Sequence, residues 1–130
     1  MSSILVVDDD DDIVRLLDKA LTNKGHEVIK CNGGEEALEI AAQSQPDLII
    51  LDVEMPKLDG YQVLWHLGEN ADTQHIQTLI LSGRKTFSDK KFGLKLGARD
   101  YIAKPFSIDV LLNRVEHLLS QSVIPKAQTH

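Results

Sequence analysis

The sequence predicts an α/β domain with a doubly wound sheet of five parallel strands and five helices on its two faces. Short apolar runs alternate five times with stretches whose apolar residues recur at helical spacing. The runs are mostly unbroken, which is typical of strands that are covered on both sides. Polar residues follow most of the runs directly. Alternation of this kind indicates parallel strands that are joined by right-handed helical crossovers.

The predicted strands end at turn residues or at polar side chains. They are Ile4–Val7, His26–Cys31, Leu48–Leu51, Ile76–Leu81 and Tyr101–Ala103. Pro46 precedes the third strand, and Pro56, Asp59 and Gly60 break the chain after it. The third strand ends in Asp52, which we expect at the carboxyl end of the strand and at the surface of the sheet.

Each predicted helix has an apolar face. The first is capped by Asp10 and ended by Gly25. The first helix is defined by Ile13, Leu16, Leu17, Ala20 and Leu21, and the second covers Glu35–Ser44, with Ala37, Leu38 and Ala41 inward. The third is defined by Tyr61, Leu64, Trp65 and Leu67, and the fourth covers Thr86–Leu96. The last is defined by Ile108, Leu111, Leu112, Val115, Leu118 and Leu119.

Length and composition limit the possible classes of protein. The chain has 130 residues, of which 42% are hydrophobic, so it is long enough for one domain with a real core. We predict a domain over residues 1–122 and a flexible tail over 123–130. The net charge of −6 argues against direct nucleic-acid binding by the domain. A single cysteine and the lack of a signal peptide or a long apolar stretch favour a cytoplasmic protein without membrane insertion.

Five polar residues fall at strand ends: Asp8, Asp9, Asp52, Ser82 and Lys104. The carboxyl ends of parallel strands share one rim of the sheet, where ligands bind in such folds. Carboxylates that are ~4 Å apart repel by about 4 kcal/mol at an effective dielectric of 20, so they persist together only if they are protonated or if a cation lies among them. Hard oxygen ligands favour Mg²⁺. Asp52 could then act as a nucleophile toward a phosphoryl group, with Lys104 neutralising its oxygens and Ser82 donating a hydrogen bond.

Four motifs together identify a family. VVDDD, LDVEMPKLDG, LILSG and DYIAKPF resemble, in this order and spacing, the receiver domain of bacterial two-component response regulators. The resemblance covers residues 3 to about 120 and implies the flavodoxin-like strand order 2-1-3-4-5. It also implies that Asp52 is the phosphoacceptor, that Asp9 binds Mg²⁺ directly, that Asp8 acts largely through water and that the Glu54 backbone carbonyl completes the metal ligands.

The resemblance further predicts how the domain switches. The Lys104–Pro105 peptide bond should be cis, which turns the lysine toward Asp52. Ser82 and Tyr101 should form the switch, with the tyrosine outward and mobile until Asp52 is phosphorylated. The expected phosphodonor is a histidine kinase or a histidine phosphotransfer protein. The expected output is contact with a downstream protein through the region of the fourth helix and fifth strand. A basic cluster lies in this region: Arg84, Lys85, Lys90, Lys91, Lys95, Arg99 and Lys104. A solvated helix face is the simpler explanation of those charges, and a docking surface for an acidic partner is the other.

Other interpretations remain open from the sequence. Asp10 to Asp12 are best explained as a solvated acidic run at a helix start. A haloacid-dehalogenase-type phosphatase would also use an aspartyl nucleophile, with Glu54 as the acid two residues on, but such enzymes carry their acidic pair late in the chain. A flavin-binding protein of this topology would need a phosphate-binding loop after the first strand. The chain could also be the receiver fragment of a larger regulator or of a hybrid kinase.

Overall fold

The computed structural model describes residues 2–54, 59–83 and 86–122. Strands and helices alternate along the whole of this part of the chain. They are β1 (Ser3–Val7), α1 (Asp11–Asn23), β2 (Glu27–Cys31), α2 (Gly34–Ser44), β3 (Leu48–Asp52), α3 (Gly60–Glu69), β4 (Gln77–Ser82), α4 (Phe87–Lys95), β5 (Asp100–Ala103) and α5 (Ile108–Ser122). The predicted break at Pro56, the basic residues Arg84 and Lys85, and the predicted tail over 123–130 lie outside the described residues.

The strands form one parallel sheet in the order β2-β1-β3-β4-β5, as predicted. In the centre of the sheet, Ile4 of β1 lies opposite Leu48 of β3, and Leu48 lies opposite Gln77 of β4. This register aligns the carboxyl ends of β1, β3 and β4, so the residues that follow them meet at one rim.

Side chains alternate between the two sides of each strand, and this divides the core in two. On one side, which we call the α1/α5 face, Ile4 and Ile50 pack against Leu17 of α1 and Leu111 of α5. On the other side, which we call the α2–α4 face, the buried residues come from the strands, from α2 and α3 and from the segment after α4. They include Ala37, Ala41, Tyr61, Val63, Leu64, Leu67, Ala98 and Tyr101.

Local hydrogen bonds start three of the helices. The Asp10 carboxylate accepts the backbone N–H groups of Asp12 and Ile13 at 2.9 and 3.4 Å, which confirms the predicted cap of α1. Asp59 and Gln62 form a reciprocal capping box at the start of α3. The Thr86 hydroxyl accepts the Asp89 N–H at 3.1 Å and begins α4.

Two apolar residues that help to define the predicted first and third helices are exposed. Leu16 of α1 is 46% exposed and Trp65 of α3 is 51% exposed. The buried positions of α1 are Val14, Leu17 and Leu21, a spacing that turns Leu16 away from the sheet. Val63 takes an inward position in α3 and is fully buried. No helix within the described ranges has the length and apolar character needed to span a membrane.

Candidate functional site

Three carboxylates meet at the carboxyl rim of the sheet. Asp8 and Asp9 follow β1, and Asp52 is the last residue of the neighbouring strand β3. One oxygen from each of the three lies within 4.8 Å of the others. Asp8 is 1% exposed and Asp52 is 3% exposed, whereas Asp9 faces solvent. The predicted convergence of these residues is therefore present.

Asp52 is buried, although the sequence predicts that it lies at the surface of the sheet. Its Oδ1 atom accepts the backbone N–H of Glu54 at 3.0 Å, which fixes the orientation of the carboxylate. Burial raises the pKa of Asp52 to about 6; the Glu54 hydrogen bond opposes this, and the charge of Asp8 adds to it. A carboxylate with such a pKa is ionised at neutral pH, but the surrounding groups only partly offset the cost of burying its negative charge.

Lys104 supplies the positive charge of the cluster. Its Nζ atom lies 3.1 Å from Asp8 Oδ2 and 3.6 Å from Asp52 Oδ1. Burial alone would lower the pKa of the ammonium, but its hydrogen bond to Asp8 and the charges of both carboxylates outweigh burial, so the pKa is raised. The Lys104–Pro105 peptide bond is cis, the geometry expected from the sequence. Lys104 therefore belongs with the three carboxylates at the rim rather than with the other residues of the basic cluster.

The site residues divide between the two faces of the sheet. Asp52 continues the side of β3 that carries Leu48 and Ile50, and these belong to the α1/α5 core. Asp8 and Lys104 follow the same alternation in β1 and β5. Ser82 instead continues the side of β4 that carries Ile80, which packs in the other core together with Tyr101. Asp8, Asp52 and Lys104 thus extend one face, and the two predicted switch residues extend the other.

Ser82 ends β4 and is fully buried. Its Oγ atom lies 3.4 Å from Oε1 of Glu54, and the same Oε1 accepts the backbone N–H of Gly83 at 2.7 Å. The backbone carbonyl of Glu54 is a predicted metal ligand, and this role stays a prediction. Its side chain, which bridges from the β3 end to the β4 end, was not foreseen as a structural contact.

Tyr101 of β5 is buried in an inward position, with 6% of its surface exposed. The expected outward ring is not what the structure has. Two features account for this. The Tyr101 hydroxyl lies 3.4 Å from the hydroxyl of Tyr61 on α3. Above the ring, α4 has Gly93, where a Cβ atom would come within 2.8 Å of Ile80 and 3.2 Å of Tyr101, so the absence of a side chain makes room for the ring.

Gly60, the first residue of α3, lies against the backbone at the end of β3. Its N–H donates to the Val53 carbonyl at 3.4 Å. A Cβ atom at this position would lie 2.4 Å from both the Asp52 carbonyl oxygen and Val53 Cα. In the sequence, the Asp59–Gly60 pair indicated a chain break, and nothing in it revealed this contact with the backbone of Asp52.

Comparison with known proteins agrees with this geometry. The family model for the response regulator receiver domain matches residues 4–116. The chain belongs to the response regulator receiver family. Among curated relatives, the alkaline phosphatase synthesis transcriptional regulatory protein PhoP of Bacillus subtilis is 46% identical over 121 residues, which is 93% of this chain and 50% of that protein. Response regulator MprA of Mycobacterium leprae is 41% identical over 119 residues, or 92% of this chain and 51% of that protein.

Solved receiver domains have the same fold. The receiver domain of the Francisella response regulator 1452 matches with a TM-score of 0.88 and 34% identity, over 94% of this chain and 99% of that chain. The signal receiver domain of a signal transduction histidine kinase from Syntrophus aciditrophicus matches with a TM-score of 0.87 and 32% identity, over 95% and 94% of the two chains. The predicted family and the flavodoxin-like fold are confirmed.

The receiver assignment favours a signalling role over the phosphatase and flavin-binding alternatives considered from the sequence. Receiver domains are signalling proteins, and the match is to this family rather than to phosphatases or flavin-binding proteins. This receiver domain spans about half the length of the curated relatives that it matches. Its oxygen ligands suit a hard divalent cation, because three carboxylates converge. The Lys104 ammonium, which contacts two of them, supplies one positive charge against three negative charges.

Proposed function

We propose that this receiver domain is a phosphorylation-controlled switch in which Asp52 accepts a phosphoryl group. The observation that carries the proposal is the position of Lys104, whose ammonium contacts Asp8 and Asp52 at the rim where the three carboxylates meet. In this arrangement an oriented Asp52 oxygen lies beside the Lys104 ammonium, which can neutralise the negative charge of an arriving phosphoryl group. The role is one of signalling rather than of turnover.

The transfer needs few groups from the protein. An Asp52 oxygen attacks the phosphorus of a phosphohistidine, the new O–P bond forms as the P–N bond breaks, and the leaving imidazole takes up a proton. The Glu54 N–H holds the carboxylate in one orientation. Lys104 neutralises the phosphoryl oxygens, and the Ser82 hydroxyl donates a hydrogen bond to one of them once the group is attached.

Mg²⁺ is the proposed cofactor. Asp8, Asp9, Asp52 and the backbone carbonyl of Glu54 would hold the ion, with Asp9 as a direct ligand and Asp8 acting largely through water. When bound, the ion supplies positive charge that offsets the charge on the transferring oxygens. The support in this chain is its set of donors, which are hard oxygen atoms at one rim.

The proposed partners follow from the family. A histidine kinase or a histidine phosphotransfer protein would donate the phosphoryl group in the cytoplasm, and a downstream output protein would read the result. We propose the surface of α4, β5 and α5 for that contact, with no direct binding to nucleic acid. Lys90, Lys91 and Lys95 are exposed on α4, so these three members of the basic cluster are available to an acidic partner.

The acceptor assignment is tested by mass spectrometry. Incubation with acetyl phosphate and Mg²⁺ should add the mass of one phosphoryl group to the protein, and Asp52→Asn should remove this gain. Asp72→Asn, which changes an exposed aspartate beyond α3, is the matched control and should label normally. Equal labelling of Asp52→Asn would refute the assignment. Steady turnover of p-nitrophenyl phosphate would instead favour the phosphatase alternative.

A further inference from the structure

The Glu54 side chain makes a contact that the proposed transfer does not use. Its Oε1 atom accepts the Gly83 N–H at 2.7 Å and lies 3.4 Å from Ser82 Oγ. Ser82 is fully buried, whereas Glu54 is exposed. An anionic group therefore reaches from the solvent side of the rim onto two hydrogen-bond donors at the end of β4.

A phosphoryl group on Asp52 needs the same kind of partner. Like a carboxylate, it carries anionic oxygen atoms that accept hydrogen bonds. Under the proposed function, one of these oxygens accepts a hydrogen bond from the Ser82 hydroxyl. Two anions that approach the same donors repel each other, most strongly where water is partly excluded. Because Glu54 is two residues from Asp52 and its own N–H is bonded to Asp52 Oδ1, its carboxylate is tethered beside the acceptor.

We propose that the Glu54 carboxylate is an internal competitor of the phosphoryl group for the Ser82 and Gly83 donors. Glu54 then has two opposing effects: its backbone N–H orients the acceptor, and its side chain must leave the β4 end when Asp52 is modified. The residue sets how tightly the site holds a phosphoryl group. This inference rests on the proposed function of Asp52.

The test uses beryllofluoride, a mimic of the phosphoryl group, at saturating Mg²⁺. Its affinity is measured by NMR titration for the unmodified protein, Glu54→Gln and Glu54→Ala. Glu54→Ala should bind roughly tenfold more tightly, because both the charge and the acceptor are removed. Glu54→Gln should fall between the two, since it keeps an acceptor oxygen without the charge. Glu39→Ala removes an equal charge from an exposed position on α2 and should stay within about twofold of the unmodified protein.

A second measurement reports the contact itself. The Gly83 amide proton should move upfield in Glu54→Ala before any beryllofluoride is added, and the Glu54 side-chain carboxyl carbon should shift when the unmodified protein binds the mimic. Equal or weaker binding by Glu54→Ala, or an unchanged Gly83 amide, overturns the competition while leaving the acceptor role intact. If the unmodified protein neither binds the mimic nor gains a phosphoryl mass, the proposed function fails, and this inference fails with it.

Discussion

The two faces of the sheet differ in the side chains that they bury. Among the described residues, the buried members of the α1/α5 core are all Ile, Leu or Val. The α2–α4 core also contains small residues, two tyrosines and a cysteine. Burial raises the pKa of that cysteine, Cys31, to about 11, so its thiol stays protonated at neutral pH. Ile, Leu and Val have well-defined rotamers, whereas the Tyr101 ring occupies the room that Gly93 leaves and would vacate it by a change of rotamer.

This difference matches the division of the site residues. Asp8, Asp52 and Lys104 extend the aliphatic face, and Ser82 and Tyr101 extend the mixed face. We infer that the first face holds the reacting groups in place and that the second allows rearrangement. Each prediction below tests one side of this contrast, beginning with the largest expected effect.

On the aliphatic face, Leu17→Ala should lower the free energy of unfolding by about 3 kcal/mol, because it removes a fully buried side chain from a core with little room to adjust. Urea unfolding measures this. Leu16→Ala is the matched control, since Leu16 is the neighbouring residue and is 46% exposed, and it should cost below about 1 kcal/mol. A similar cost for both variants would contradict the assignment of the buried side of α1.

At the rim of the same face, Asp52→Asn should raise the free energy of unfolding by about 1–2 kcal/mol at pH 7 in Mg²⁺-free buffer. The physical reason is that burial raises the pKa of Asp52 from 3.8 to about 6, so folding disfavours the ionised form. The folded state binds the proton more tightly than the unfolded state does. This contribution to stability therefore falls as pH rises from about 4 to about 6 and is absent from the variant.

Asp9→Asn separates burial from the simple removal of charge, because Asp9 belongs to the same cluster but is exposed. Its gain should be below about 0.5 kcal/mol. Urea unfolding between pH 4 and pH 7.5 compares the three proteins. An Asp52→Asn variant that is less stable than the unmodified protein at pH 7 would mean that Lys104 more than compensates for the buried charges.

On the mixed face, the contact between the hydroxyls of Tyr61 and Tyr101 should contribute about 0.5–1 kcal/mol. Tyr61→Phe and Tyr101→Phe keep both rings and remove one hydroxyl each. A double-mutant cycle gives the coupling from the unfolding energies of the two single variants and the double variant. A coupling of zero would mean that this hydroxyl pair does not keep Tyr101 inward.

The smallest effect on the free energy of unfolding is expected for Ser82→Ala, whose consequence lies in signalling rather than in stability. Moving a population from 1:99 to 99:1 requires about 5.5 kcal/mol, and one charge-assisted hydrogen bond supplies ~1.5–3, so Ser82 gives part of the response. Beryllofluoride should shift the amide signals of residues 86–103 less in this variant, while Asp52 still gains the phosphoryl mass. Identical shifts in the variant and the unmodified protein would exclude the coupling.

Much of the fold was predictable because local patterns carried it. Apolar runs such as Leu48–Leu51, with a proline or a carboxylate at their ends, located the strands to within a residue or two. The strand order was different: it came from the family resemblance, since apolar periodicity does not record which strands are neighbours. Leu16 and Trp65 show a second limit. A helix with apolar residues on several sides does not reveal which of them faces the sheet.

The site was predictable where strand ends determined it and not where side chains reach across the rim. Asp8, Asp52, Ser82 and Lys104 meet because parallel strands end together. The depth of Asp52 depends on the packing of neighbouring segments. The Glu54 contact with Gly83 joins the ends of two strands, and the space that Gly93 leaves for Tyr101 lies between a helix and a strand. No local pattern encodes either of them.

The close approach of Gly60 to the backbone of Asp52 has a consequence for how this domain tolerates variation. A Cβ atom would fall 2.4 Å from two backbone atoms, and it is the first atom of every other side chain. A deep mutational scan should therefore show an all-or-none profile at position 60, in which alanine is depleted as severely as tryptophan. At Gly68, by contrast, a Cβ atom meets nothing within 4 Å, so the losses there should follow helix propensity and be graded. Two glycines at opposite ends of one short helix would thus have opposite mutational signatures.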